Sequence, residues 1–200
     1  MKLKDFIKIV LFTVIGFILL MGGSLLSTVT GVFAFYLNTA FGTFLMAPVI
    51  FVMCHKVHKR GTLFIYYLFI GLVYSLMGFW AFMPFMILVA GLAEILVGPV
   101  ENYHNDKKLS IMYIIVQFFY SLHGLLFLLI LKGEGLVKLF PDMFDAQKVK
   151  ELSDFYYNGK NLVILVIIQL VFSYLAAKFG VYVYKKFFAK GENQKSVLHG

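Results

Sequence analysis

The sequence predicts an all-α integral membrane protein with six transmembrane helices and both termini in the cytoplasm. Within residues 61–100, a stretch of forty, the only charged side chain is Glu94. As one helix this stretch would extend about 60 Å, twice the roughly 30 Å hydrocarbon core, so we expect it to turn back inside the bilayer. The composition agrees, because 61% of the residues are hydrophobic and only 14% are charged. Soluble domains carry about a quarter charged residues.

The helices are predicted from apolar runs of membrane-spanning length. The first run follows a basic flank, and without a convincing small-residue cleavage site after it we expect a retained span. Trp80 and Pro84 divide residues 61–100 into a hairpin, because proline removes a helical hydrogen bond and tryptophan prefers the interface. The polar segment 132–160 is too short for a core of its own, so residues 1–200 are predicted to form a single transmembrane domain. The predicted spans are residues 6–27, 31–54, 61–79, 82–100, 109–131 and 159–184.

Basic residues set the orientation, since Lys and Arg near span ends stay in the cytoplasm. With the N-terminus inside, thirteen of the eighteen Lys and Arg residues are cytoplasmic. They are Lys2, Lys4, Lys8, Lys56, Lys59, Arg60, Lys107, Lys108, Lys178, Lys185, Lys186, Lys190 and Lys195. The other five share the long loop before the last span with five acidic residues. A basic rim facing anionic lipid explains the net charge of +8, so no nucleic-acid partner is predicted.

The long outer loop contains a pattern typical of a short amphipathic helix. Val149, Leu152 and Tyr156 follow at intervals of three and four residues, which places them on one helical face. Asp142 and Asp145 are candidate N-caps for this helix. We expect it either to lie on the membrane surface or to cap a cavity.

Motifs for catalysis are absent from the sequence. It contains no phosphate-binding glycine loop, no His-Glu-x-x-His and no Gly-x-Ser-x-Gly. The metal-like spacing of Cys54, His55 and His58 is crowded by Lys56, Lys59 and Arg60, whose charge would repel a cation, so a solvated turn is predicted there. We therefore predict neither an enzyme nor a bound metal or cofactor.

Polar side chains in the outer half of the spans are the candidate ligand-binding residues, because burying them in hydrocarbon is costly without a partner. Gln117, Tyr120 and His123 follow at intervals of three and share one side of a helix. Three further candidates, Asn38, Trp80 and Asn161, lie at the same outer level. Such a set would suit a small, flat, polar molecule, and His123→Ala is then expected to weaken binding without unfolding the protein. The competing interpretation is an ordinary interfacial aromatic belt with a histidine bonded to a neighbour.

Two charges lie within the predicted spans on the cytoplasmic side. Glu94 is six residues before Val100, and Lys178 is seven before Lys185, so both are about 10 Å deep. An interhelical ion pair is one interpretation, and extension of Lys178 to the interface is the other. For Glu94 we favour a structural role over a role in coupling or ligand binding.

Three segments resemble the Trep_Strep (MptD-like) family of bacterial integral membrane proteins. The first is residues 45–61, which contain Leu-Met-Ala-Pro-Val and Lys-x-x-Lys-Arg-Gly. The second is residues 71–78, which begin and end with glycine, and the third is residues 91–96, Gly-Leu-Ala-Glu-Ile-Leu. The resemblance covers nearly the whole chain. It implies a multi-pass protein of the bacterial cell membrane, the substrate-binding S component of an energy-coupling factor (ECF) importer.

The resemblance also implies partners. An S component captures a vitamin-like micronutrient outside and docks onto a transmembrane coupling subunit driven by two ABC ATPases. Better-known S components dock through an Ala-xxx-Ala surface on helix one. Here the corresponding helix offers Gly16, Gly23 and Ser27, with Gly22 between them, and we predict docking through the first three.

Two other functions remain open from the residues alone. The first is a stand-alone homo-oligomeric channel or exporter for a small molecule, assembled through small-residue helix faces. The second is an intramembrane enzyme with Glu94 and His123 as acid and base, which requires the two side chains to approach each other.

Overall fold

The computed structural model describes residues 1–142 and 144–189, without the side chain of Val32. Two basic residues assigned to the cytoplasm, Lys190 and Lys195, lie outside the described residues. The described part forms eight α-helical segments, of which α5 and α6 are separated by the single residue Leu122. They are α1 (Leu3–Ser27), α2 (Ala34–Val57), α3 (Thr62–Leu76), α4 (Met83–Val97), α5 (Asp106–Ser121), α6 (His123–Leu139), α7 (Ala146–Tyr156) and α8 (Gly159–Val183).

The all-α membrane architecture is confirmed, but the count of six full spans is not. Five segments of the described chain are long and apolar enough to cross a membrane: Leu3–Gly31, Ala34–Val57, Trp80–Val97, Asp106–Leu139 and Gly159–Phe188. The remaining predicted span corresponds to α3, which has only 15 residues. At 1.5 Å per residue α3 is about 22 Å long, shorter than the hydrocarbon core. It ends early because Gly78, at φ 97°, turns the chain towards the hairpin.

The end of α2 also differs from the prediction. The helix continues to Val57 instead of ending at residue 54. His55 is 4% exposed, and its Nδ1 lies 2.9 Å from the Phe51 carbonyl. The predicted solvated turn at residues 54–58 is therefore wrong for residues 54–57, which belong to α2, and Cys54, His55 and Val57 are packed inside the bundle.

The bundle is organised around α2, which packs against α1, α5 and α8, while α3 packs against α4. Met1 lies beside Gly61, and Tyr184 stacks on His55 with ring centroids 3.7 Å apart. These four residues define one end of the bundle, the basic end. The described chain therefore starts and finishes at the same end, and its placement in the cytoplasm stays a prediction.

The opposite end, the aromatic end, is closed by rings from several connections. Phe79 in the α3–α4 hairpin packs against Phe140, and Phe35 at the start of α2 stacks on Phe155 of α7. Asp145 caps α7 by accepting a hydrogen bond from Lys148 N at 2.7 Å. Val149, Leu152 and Tyr156 join one apolar cluster, as the spacing predicts, and α7 packs on α6 and α8. The short helix thus covers the aromatic end.

Candidate functional site

The candidate site begins on α5, where Gln117 and Tyr120 face α3. Gln117 has no exposed surface, and its Nε2 donates to the Tyr67 hydroxyl at 3.0 Å. One turn closer to the aromatic end, the hydroxyls of Tyr120 and Tyr74 are 3.0 Å apart. The spacing of three residues therefore places Gln117 and Tyr120 on one face of α5, and α3 supplies their hydrogen-bond partners.

His123 lies at the same level, just past the break at Leu122 that separates α5 from α6. Its Nδ1 is 2.7 Å from the Tyr120 carbonyl. Because a carbonyl only accepts, Nδ1 carries the proton, and Nε2 of the neutral ring is an acceptor. The ring lies among those of Phe82, Phe85, Tyr120 and Phe127. His123 thus presents one polar atom inside an aromatic pocket.

A second polar group is found deeper in the bundle, around Gln169 of α8. Gln169 Nε2 lies 3.3 Å from Thr43 Oγ1 and 3.1 Å from Ser173 Oγ. The Tyr113 hydroxyl donates to the Thr43 carbonyl. Since Tyr113 is one turn before Gln117 on α5, the two groups adjoin. We call them the buried polar cluster: Thr43, Tyr66, Tyr67, Tyr113, Gln117, Gln169 and Ser173.

Three atoms of this cluster lack a hydrogen-bond partner among the described residues: Tyr66 Oη, Gln117 Oε1 and Gln169 Oε1. All three side chains are completely buried. Leaving such a group unsatisfied costs about 1–3 kcal/mol. Three unsatisfied groups in one region indicate a place where a polar molecule would be stabilised. Because every member of the cluster is uncharged, the arrangement suits binding of a neutral hydrogen-bonding molecule.

The sequence profile of Trep_Strep, described as a hypothetical bacterial integral membrane protein, matches residues 3–190. The chain belongs to the Trep_Strep family. It is accordingly a bacterial integral membrane protein, in agreement with its membrane-spanning helices. No curated protein and no solved structure matches it significantly.

The other predicted ligand residues of this Trep_Strep protein do not join the cluster. Asn161 Oδ1 accepts from the Tyr36 hydroxyl at 2.7 Å beneath α7. Asn38 is exposed and lies 3.5 Å from the Ser24 carbonyl on α1. Trp80 is 58% exposed at the hairpin. That they share one level of the membrane stays a prediction, and their side chains point to different neighbours.

Glu94 has a structural contact in the Trep_Strep chain. Its carboxylate accepts from Gly61 N at 2.5 Å and from Phe64 N at 3.3 Å, so it caps the start of α3 from α4. The phenol of Tyr103 lies next to the same carboxylate, and its pKa is raised by burial first and by Glu94 second. His123 packs against Phe82, just before the start of α4, whereas Glu94 lies near the end of α4. Twelve helical residues separate positions 82 and 94, which is about 18 Å along the axis. This separation argues against an acid–base pair.

Lys178 does not pair with Glu94. Its Nζ lies 4.8 Å from the centre of the Tyr174 ring on its own helix, and the side chain is exposed on α8. Of the two interpretations of these charges, the ion pair is therefore not formed, because Glu94 turns towards α3 while Lys178 faces outwards.

The three predicted docking residues of α1 are buried inside the chain. A Cβ added at Gly16 would meet the Tyr66 hydroxyl at 2.0 Å, and one added at Gly23 would meet the Phe41 carbonyl oxygen at 2.5 Å. Ser27 has no exposed surface and donates to the Ser24 carbonyl. A partner cannot contact these residues while α1 is packed in this way. In contrast, a Cβ at Gly22 would meet nothing within 4 Å.

Tyr67 and Gln169 were missed by the sequence reasoning although both belong to the buried polar cluster. Gln169 could have been found, because it is an amide in the middle of an apolar span, as Gln117 is. Tyr67 could not be separated by sequence from the other tyrosines near the membrane surface.

Proposed function

We propose that this Trep_Strep protein is the substrate-binding S component of an ECF importer and captures an uncharged, vitamin-like molecule from outside. The observation that carries the proposal is the buried polar cluster. It holds neutral donors and acceptors from four helices, and Tyr66, Gln117 and Gln169 each keep one atom without a protein partner. A flat heterocycle with several N–H and C=O groups would satisfy such atoms.

The aromatic end is the proposed entrance. α7 covers it, and the Tyr156 hydroxyl lies against Gly124 at the start of α6. Burial raises the pKa of Tyr156 to about 12, so the phenol stays protonated and can donate a hydrogen bond at neutral pH. Outward movement of α7 would open a path to His123 and the polar cluster.

The energy for transport would come from partner proteins. In this proposal the chain hydrolyses nothing and docks onto a transmembrane coupling subunit with two ABC ATPases. The exposed face of α1 is the proposed docking surface, since Leu11, Ile18 and Leu25 are more than half exposed. At Gly22 of the same helix the space beside the backbone is open, so another helix could approach closely there.

Affinity purification of the tagged chain from native membranes tests the proposal directly. We expect mass spectrometry to find a membrane subunit, two ABC ATPases and a retained small molecule. Recovery of the chain as a homo-oligomer without ATPases, in several detergents, would contradict the proposal and favour the stand-alone channel or exporter.

Gln117→Met is expected to reduce the amount of retained small molecule about 10- to 100-fold, because it removes the amide while keeping the length of the side chain. The measurement is untargeted mass spectrometry of metabolites released from equal amounts of purified protein. His123→Ala is expected to reduce retention as well. Asn38→Ala is the control, since Asn38 is exposed on the α1 side. Equal retention in Gln117→Met and the unmodified protein would exclude the polar cluster as the binding site.

A further inference from the structure

A groove at the basic end, between α5 and α8, has a chemistry that the proposed import function does not use. Its volume is about 380 Å³. Asp106, Lys107 and Ser110 line it on α5, and a second group lines it on α8. The α8 residues are Lys178, Val181 and Tyr182.

The groove carries excess positive charge. Lys107 and Lys178 are exposed, and within the described part of the chain neither makes an ion pair. The one carboxylate, Asp106, is already engaged, because Lys185 Nζ lies 2.7 Å from Oδ2. The other carboxylate oxygen, Asp106 Oδ1, lies 3.2 Å from His55 Nε2, which is within ion-pair distance. These two atoms do not form a well-aligned hydrogen bond.

The position of Lys178 makes an anionic ligand favourable. Lys178 lies seven residues before Lys185 on the same continuous helix, about 10 Å deeper in the membrane. An ammonium in hydrocarbon costs about 2.5–3.5 kcal/mol at the bilayer centre, and the cost falls when an anion is near. The aromatic ring of Tyr174 gives only partial compensation at 4.8 Å.

Exposed apolar side chains lie next to the lining residues along α5 and α8. Ile111 of α5 is 45% exposed, and Phe179 and Tyr182 of α8 are 37% and 53% exposed. Acyl chains can pack on such side chains, whereas a soluble anion makes no contact with them. Basic pockets between transmembrane helices are typical sites for acidic lipid headgroups.

We propose that the α5–α8 groove binds one anionic phospholipid, with its headgroup phosphate between Lys107 and Lys178 and its acyl chains along Ile111 and Phe179. The lipid supplies the counter-charge that Asp106 cannot give, and it bridges α5 and α8 at the basic end. This site is separate from the buried polar cluster and does not depend on the import function.

Native mass spectrometry of the full chain with added lipid tests the proposal. We expect phosphatidylglycerol to bind at least tenfold more tightly than phosphatidylcholine with the same acyl chains. The double variant Lys107→Gln with Lys178→Gln is expected to remove this preference. Lys160→Gln is the matched control, because Lys160 is an exposed lysine at the opposite end of α8, and it should keep the preference.

Three outcomes would overturn the assignment. Equal binding of the two lipids by the unmodified protein would exclude a headgroup site, as would equal loss of the preference in Lys160→Gln. Competition by millimolar glycerol 3-phosphate would indicate a soluble anion instead of a lipid. If the double variant fails to fold, the single variant Lys107→Gln provides the test, because Lys107 is exposed and its loss should weaken the preference for phosphatidylglycerol, whereas an unchanged preference would overturn the assignment.

Discussion

Gly23→Ala is expected to destabilise the protein by about 3 kcal/mol, whereas Gly22→Ala, one residue earlier, is expected to stabilise it by up to about 1 kcal/mol. The added methyl at Gly23 would lie 2.5 Å from the Phe41 carbonyl oxygen and 2.7 Å from Gly42 Cα. Both are backbone atoms, so α1 and α2 must separate to make room. At Gly22 the methyl meets nothing within 4 Å, and alanine has the higher helix propensity.

Thermal unfolding of the two variants in the same detergent measures the contrast. Because both changes add one methyl to neighbouring positions of one helix, general effects of the substitution cancel. Similar melting temperatures for the two variants would contradict the close contact of α1 with α2 at this point. Gly42→Ala should behave like Gly23→Ala, since its Cβ would lie 2.6 Å from the Leu20 carbonyl oxygen.

Glu94→Ala is the second change with a large expected effect, a loss of about 2–3 kcal/mol of stability. The substitution leaves the backbone N–H groups of Gly61 and Phe64 without their acceptor, at a site that is only partly exposed. Glu94→Gln is expected to lose roughly half as much, because the amide keeps one acceptor oxygen. The effect should be visible as a lower melting temperature in detergent.

Glu101→Ala is the matched control for Glu94, because Glu101 is an exposed acidic residue in the turn that follows α4. It is expected to change the melting temperature little. A normal melting temperature for Glu94→Ala would exclude the capping role. If that variant were also unable to retain its small molecule, Glu94 would have to be assigned to coupling or ligand binding instead.

The outline of the fold could be predicted because it depends on local patterns. The stretch 61–100, in which Glu94 is the only charged residue, requires a membrane hairpin, and the structure turns at Gly78 and begins α4 at Met83, with Pro84 in its first turn. Likewise, the spacing of Val149, Leu152 and Tyr156 predicts the apolar face of α7. The span lengths were less accurate. Hydropathy does not show where a capping carboxylate starts a helix, as Glu94 does for α3, or where a glycine turn ends one, as Gly78 does.

The candidate site could be predicted only in part. The periodicity of Gln117 and Tyr120 gives their shared face on α5, since that depends only on helix geometry. Their partners Tyr67 and Tyr74 are 50 and 46 residues away in the chain. Nothing local indicates that α3 lies opposite α5, so the pairing depends on how the helices assemble.

The sequence by itself determined that this chain is an α-helical membrane protein, because the cost of burying charge and unpaired backbone in lipid acts on each segment separately. Only the tertiary structure decided which face of each helix meets another helix. In α1 the packed face carries Thr13 and Ser27 besides apolar residues, but glycines occur on both faces, so residue type could not indicate that Gly16 and Gly23 point inwards while Gly22 points outwards. The same holds for Glu94, whose side chain meets the start of α3 because α3 and α4 pack together as a hairpin.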